Sequence, residues 1–159
     1  MLVVGLALAA ISAQAQPAIG RGRYLVEGIL TCGNCHSPRG ADGIIDGSRL
    51  YSGGPQTWDE PTYRVKGSNI TPDAETGIGS WSEAEIKTAL QEGHRPDRSQ
   101  LAPVMPYPFY KISLPADLDA VVAYLRSVPA VRSEVPRPEY KGGAPCRTCT
   151  GQRQASKRR

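Results

Sequence analysis

The sequence predicts a mainly α domain, with three to five short helices and long loops wrapped around one bound prosthetic group. Three observations lead there. Helical signals appear in three separate stretches. The segments between them are rich in the 17 glycines and 14 prolines of the 159-residue chain. Aromatic residues make up only 6%, so the side chains alone form a small core for this length, and a buried group would complete it.

The elements follow in chain order. "MLVVGLALAAISAQAQ" opens the sequence. Its apolar run, Leu2 to Ile11, is about ten residues, half of what a bilayer span needs. Ala13-Gln14-Ala15 supplies the small-x-small pattern of a signal-peptidase site. Residues 1–15 therefore read as a secretory signal, although no Lys or Arg precedes the run. The main domain is expected over 16–137. Its first helix is expected from Ile19 to Leu30. From Ala41 to Gly79 the composition is that of a loop, and no strand pair is expected. The second helix follows "WSEAEIKTALQEG". There Ser82 and Glu85 form a capping box, Ile86, Ala89 and Leu90 fall at helical spacing, and Gly93 is a stop. Pro103, Pro106 and Pro108 exclude a regular helix from Leu101 to Leu114. The third helix lies in "LPADLDAVVAYLRSVP". Leu118, Val121, Val122 and Leu125 make its apolar stripe, Pro115 and Asp117 suit its first turn, and Pro129 ends it. Residues 138–159 are expected to be a basic, disordered tail.

The net charge of +4 belongs to that tail. Residues 1–145 hold 14 basic and 15 acidic residues, while 146–159 hold five basic residues and no acid. The domain thus lacks the cationic surface that follows a phosphate backbone, and no nucleic-acid partner is expected.

The chemistry concentrates in "LTCGNCHSPRG", where Cys32, Cys35 and His36 make C-x-x-C-H. A thioredoxin-like redox pair needs a βαβ setting, which is not visible. A zinc site needs a second ligand pair nearby. With histidine attached, the spacing fits covalent haem attachment. Two thioethers from one helical turn hold the porphyrin edge, and the next imidazole lies beneath the iron. An export signal agrees with this chemistry. One covalent haem c is expected.

For the other axial position the mature chain offers Met105 and His94. Met105 lies 69 residues after His36 in "LAPVMPYPFYK". Neighbouring prolines brace that loop, and a thioether on low-spin iron raises the potential and closes the site. His94, in "QEGHRPD", follows a helix stop among polar residues and reads as a surface histidine. The expected metal ligands are His36 and Met105. The second C-x-x-C, Cys146 and Cys149, has Thr150 in the histidine position. No second haem is expected there; a small disulfide is the alternative to plain tail.

The early position of the haem motif, just after the first helix, points to the class I cytochrome c arrangement. The chain resembles a class I c-type cytochrome over about residues 19–137. More narrowly it is similar to the haem domains in cytochrome subunits of bacterial membrane-bound alcohol, aldehyde and gluconate dehydrogenases. "GRYLVEGILTCGNCHSPRG", "SNITPDAETGIGSWSEAEI", "LAPVMPYPFY" and "DLDAVVAYLRSVP" carry the likeness. It implies that Cys32 and Cys35 hold the haem and that His36 and Met105 ligate the iron. It implies that the first and last helices cross, with Gly20 or Gly22, Tyr24 and Tyr124 at the contact. Pro38 is expected to help place a carbonyl that accepts the His36 Nδ1 proton, a bond that fixes the tautomer. Asn69, Thr71 and Trp81 are expected near the haem edge or its propionates, or else in ordering a long loop. Those dehydrogenase subunits carry three haem domains and a C-terminal membrane anchor; this chain reads as one such domain standing alone.

The expected function is that of a periplasmic monohaem electron carrier. It would pass single electrons from a dehydrogenase donor to an oxidase or other respiratory acceptor, with no catalytic residues of its own. Peripheral association with the membrane is compatible with this. Two other readings stay open: a relay subunit held in a membrane-bound dehydrogenase complex, and a haem enzyme with a displaceable sixth ligand.

Overall fold

The structure, a computed structural model, describes residues 18–141. The signal segment and Cys146 and Cys149 lie outside the described residues.

Helix α1 begins as an α-helix over 18–23 and continues as a π-helix, Tyr24–Ile29. The wider turn is closed by Leu30 N–H donating to the Leu25 carbonyl at 2.7 Å. The chain then turns sharply at Thr31, whose φ of 48° is rare for a β-branched residue. One turn of helix follows, α2 (Gly33–His36). Helix α3 (Glu83–Glu92) starts at the expected capping box. Glu85 N–H donates to Ser82 Oγ at 3.2 Å, and Ser82 N–H donates to Glu85 Oε2 at 2.7 Å. Gly93 ends it in the left-handed region, φ 71°. Helix α4 (Tyr107–Tyr110) is a single turn among the prolines. Helix α5 (Pro115–Ser127) buries Leu118, Val121, Val122 and Leu125, as the stripe predicts. No described helix is long and apolar enough to cross a membrane.

Helices α1 and α5 cross closely at Gly22, not Gly20. A Cβ on Gly22 would lie 1.9 Å from the Ala120 carbonyl oxygen and 2.7 Å from Tyr124 Cβ, whereas Gly20 has nothing within 4 Å. Tyr24 is not at this contact. It is 55% exposed and lies beneath the Arg21 guanidinium. Tyr124 does sit there, edge-on to Tyr51 with ring centroids 6.3 Å apart, and its hydroxyl donates to Glu27 Oε1 at 2.5 Å. Arg21 pairs with Asp117 at 2.9 Å, joining the two helices at the surface.

A small antiparallel sheet corrects the sequence reading of 41–79 as loop alone. Strand β1 (Thr57–Asp59) pairs with β2 (Tyr63–Lys66), Trp58 opposite Val65. Strand β3 (Glu139–Tyr140) adds to β2, with Tyr63 opposite Tyr140. The order is β1-β2-β3. Residues 139–140, placed in the tail by sequence, thus belong to the sheet, and Lys141 follows them against its loop. Lys141 N–H donates to the Thr62 carbonyl at 2.9 Å, and its ammonium pairs with Asp59. Strands of two to four residues bury too little apolar surface to show alternation, so their pairing is set by tertiary context.

Candidate haem site

The core does not close between α2, α3, β2 and the 101–106 loop. A cavity of about 420 Å³ remains there. Cys32, Cys35 and His36 line it, as do Met105, Trp81, Asn69, Tyr110 and the aliphatic Val65, Ile70, Ile78, Ile86 and Leu90. Six candidate residues from four separate stretches of the sequence are therefore brought to one space.

Helix α2 is fixed from both sides. Cys32 N–H donates to the Val26 carbonyl at 3.0 Å, holding the motif against α1. Two loops press on the other side at Gly54 and Gly67. A Cβ on either would come within 1.9 Å or 1.8 Å of the Cys35 carbonyl oxygen. Gly53 N–H donates to the His36 carbonyl at 2.8 Å, and Gly54 N–H to the Gly67 carbonyl at 3.0 Å. Ser37 Oγ accepts from Tyr51 N–H at 3.0 Å.

His36 Nδ1 donates to the Ser68 carbonyl at 2.7 Å. The expectation that Pro38 arranges this bond is corrected: the Pro38 carbonyl accepts from Asp46 N–H instead, and Pro38 does not line the cavity. With Nδ1 donating, the neutral ring carries its lone pair on Nε2. Burial holds the imidazole pKa below its ordinary value, outweighing the Ser68 bond that raises it. His36 is thus a neutral nitrogen donor beside two cysteines.

Those cysteines are free thiols, Cys32 buried and Cys35 exposed. Burial pushes the Cys32 thiol up to about 12. A redox-active C-x-x-C needs a depressed thiol pKa, so the environment is wrong for thiol exchange. A bare structural metal fares no better, since no group of three or more His, Cys, Asp or Glu gathers as a metal site among the described residues. An apolar cavity bordered by two thiols and a neutral imidazole does fit a covalently bound porphyrin. A cytochrome c family model matches residues 20–129, spanning these elements.

The chain belongs to the cytochrome c family. It is an electron-transfer domain, and a cytochrome c domain implies covalently bound haem c. It is 40% identical over 113 residues to a diheme cytochrome c-type protein of Cereibacter sphaeroides, covering 70% of this chain and 36% of that one. It is 38% identical over 127 residues to the cytochrome c subunit of the quinone alcohol dehydrogenase of Gluconobacter oxydans, covering 72% and 25%. It is also 38% identical over 105 residues to a nicotinate dehydrogenase subunit of Pseudomonas putida, covering 66% and 8%. The chain thus matches only a minor part of each of these relatives.

The remaining candidates separate. Trp81 lines the cytochrome cavity, and its carbonyl accepts from the Arg126 guanidinium. Asn69 borders the cavity too, but its amide is fully used within the protein. Nδ2 donates to Thr76 Oγ1 at 2.9 Å and to the Val131 carbonyl at 2.8 Å. Oδ1 accepts from Thr71 N–H at 2.9 Å and Thr71 Oγ1 at 2.7 Å. Four bonds exhaust a carboxamide, so Asn69 orders the loop. Thr71 is fully buried and off the cavity; its place near a haem edge is corrected to a tie onto the 131 segment, whose Val131 N–H donates to Thr71 Oγ1 at 3.2 Å. His94 is exposed and bridges to Gln100 through backbone alone.

Sequence reasoning missed Ser68, Gly54 and Gly67, and the cavity-lining Trp58, Lys66, Arg95 and Tyr110. Burial raises the Tyr110 phenol to about 12, so it stays a neutral hydroxyl. The glycines carry a weak signal, two in a loop-rich stretch. A backbone carbonyl such as that of Ser68 carries none.

Proposed function

We propose that this cytochrome c is a monohaem carrier of single electrons, exported to the periplasm. It takes electrons from a dehydrogenase and delivers them to a respiratory acceptor. His36 and Met105 would hold its iron. The observation that carries this reading is that the Met105 loop lines the same cavity as Cys32, Cys35 and His36. That loop is held by its own backbone: Met105 N–H donates to the Ala102 carbonyl at 2.9 Å, and Tyr107 N–H to the Met105 carbonyl at 2.8 Å.

When bound, haem c supplies an iron that gains and loses one electron. The chain does the rest. Cys32 and Cys35 would anchor the ring as thioethers. Ser68 holds His36 in one tautomer and strengthens it as a donor. Met105 would supply a sulfur ligand to the same iron, which would leave no place on it for a substrate. The aliphatic wall keeps water out, so little reorganises when the charge changes. Cys35 is the exposed cysteine of the pair, so electrons would pass to a partner on its side through a small, transient interface.

Met105→Ala tests the ligand set. The oxidised wild type should show the sulfur-to-iron charge-transfer band, and the reduced protein should bind carbon monoxide slowly. The variant should lose the band, bind carbon monoxide rapidly and have a lower potential. An unchanged spectrum and potential would sink the assignment.

A second reading, a relay subunit held in a dehydrogenase complex, is favoured by the names of the relatives and by an apolar surface. Phe109 and Ile112 are 77% and 89% exposed, next to cavity-lining Tyr110. Purification from native membranes separates the two: stable co-elution with a dehydrogenase supports the subunit, and a free cytochrome supports the carrier.

A further inference from the structure

The cavity lining contains two cations, Lys66 and Arg95, and no carboxylate. Neither cation forms an ion pair among the described residues, and they are the two that border the cavity. A charge facing an apolar space is costly unless something answers it.

Arg95 is also held in place. Its Nη1 donates to Ser99 Oγ and to the Gln100 carbonyl, both at 3.2 Å. The turn is tied again by Arg95 N–H donating to the Ser99 carbonyl at 2.9 Å. These bonds use neutral acceptors, so they fix the guanidinium without neutralising it. The nearest acid in sequence, Asp97, accepts from Ser99 N–H at 2.9 Å; it feels the Arg95 charge without forming an ion pair with it. Lys66 is placed independently, on β2 opposite Thr57. Two cations without an ion pair on one mostly apolar lining are the electrostatic complement of a flat apolar ligand carrying two carboxylates, and haem carries two propionates.

We propose that Arg95 and Lys66 hold the two haem propionates, and that Arg95, the fixed one, sets the reduction potential. The proposal rests on the haem reading above. A positive charge beside the ring disfavours the oxidised, more positive state and so raises the potential. The same charge keeps its carboxylate ionised, which leaves the potential insensitive to pH near neutrality.

The test is potentiometric titration of the mature holoprotein from acidic to neutral pH. Arg95→Gln, Arg95→Lys and Lys66→Gln are compared with Arg98→Gln, an exposed arginine of the same turn outside the cavity. Arg95→Gln should weaken the preference for the reduced state roughly tenfold, a downward shift of about 59 mV for one electron. Its potential should also become pH-dependent closer to neutrality than in wild type. Lys66→Gln should shift the potential in the same direction by less. Arg95→Lys keeps the charge but not the planar fork, and should retain most of the wild-type potential; Arg98→Gln should match wild type. The assignment is overturned if Arg95→Gln matches Arg98→Gln, or if Arg95→Lys falls as far as Arg95→Gln, which would mean a loop-ordering role alone. Mass spectrometry on the same samples separates the deeper failure: a mature wild type without covalent haem overturns the site reading and this assignment with it.

Discussion

Gly67→Ala should uncouple the histidine from its carbonyl partner. The new Cβ would lie 1.8 Å from the Cys35 carbonyl oxygen and 2.7 Å from its carbon, and both are backbone atoms that no rotamer change can move. Reaching even a 3.0 Å contact requires the 67–68 loop to retreat by about 1.2 Å, beyond what packed interiors absorb without cost. Ser68 is the next residue, and its carbonyl is 2.7 Å from His36 Nδ1. Retreat by that amount leaves a gap of about 3.9 Å, outside hydrogen-bond range. Overpacking of this kind costs about 1–3 kcal/mol, and a buried Nδ1 proton left without an acceptor adds about 1–3 kcal/mol more. At about 4 °C per kcal/mol for a domain of this size, the holoprotein should lose about 10–20 °C in Tm. The imidazole also becomes a weaker donor, so the potential should rise. Gly20→Ala is the internal comparison: it sits on the exposed face of α1 with nothing within 4 Å and should gain up to about 1 kcal/mol from helix propensity. A Gly67→Ala protein that melts within about 2 °C of wild type with an unshifted potential would refute the contact and the reasoning built on it.

Other perturbations probe the supports of the site. Asn69→Ala removes four bonds and strands the Thr71, Thr76 and Val131 partners, so denaturant unfolding should report a loss of about 2–4 kcal/mol while the absorption spectrum stays that of wild type; a spectral change would mean that Asn69 touches the haem. Tyr124→Phe tests the buried phenol. The Tyr124 hydroxyl, then Arg23, holds the Glu27 carboxyl below its ordinary value of 4.5. A depressed carboxylate stabilises the fold above its unfolded pKa, and that contribution is lost as pH falls through the folded value. The stability gap between wild type and Tyr124→Phe should therefore be full at neutral pH and shrink below about 4.5. A gap independent of pH would show that only packing was lost.

How much of this is readable in the sequence depends on the distance over which each feature is specified. The Ser82–Glu85 box, the Gly93 stop and the α5 stripe are local, and they appear where their patterns place them. Cys32, Cys35 and His36 are local as well, since one turn of helix carries them all. The sheet is not local: Tyr63 meets Tyr140 across most of the domain, and neither strand is long enough to announce itself. Pro38 is a reasonable suspect for the histidine's partner because it is near in sequence, yet the carbonyl comes from Ser68, half a domain loop away. That group is backbone, so no side chain betrays it. Arg95 is hidden for a related reason. In "HRPDRSQ" it looks like one surface arginine among two, and only the folded turn separates Arg95, on the cavity, from Arg98, in solvent.

The site's division of labour follows from the same distinction. The residues that would touch the ring are few, and short motifs specify them. The potential and rigidity of the site are governed instead by groups supplied from other loops: the Ser68 carbonyl, the two glycines against Cys35, the fully bonded Asn69 and the unpaired Arg95. A chain that kept C-x-x-C-H and Met105 but lost Gly67 or Arg95 would still match the motif and still bind haem. By the reasoning above it would hold that haem at a different potential and, without Gly67, with less stability. For an electron carrier, whose only output is the direction and speed of transfer between partners, such a change alters function as surely as losing a ligand.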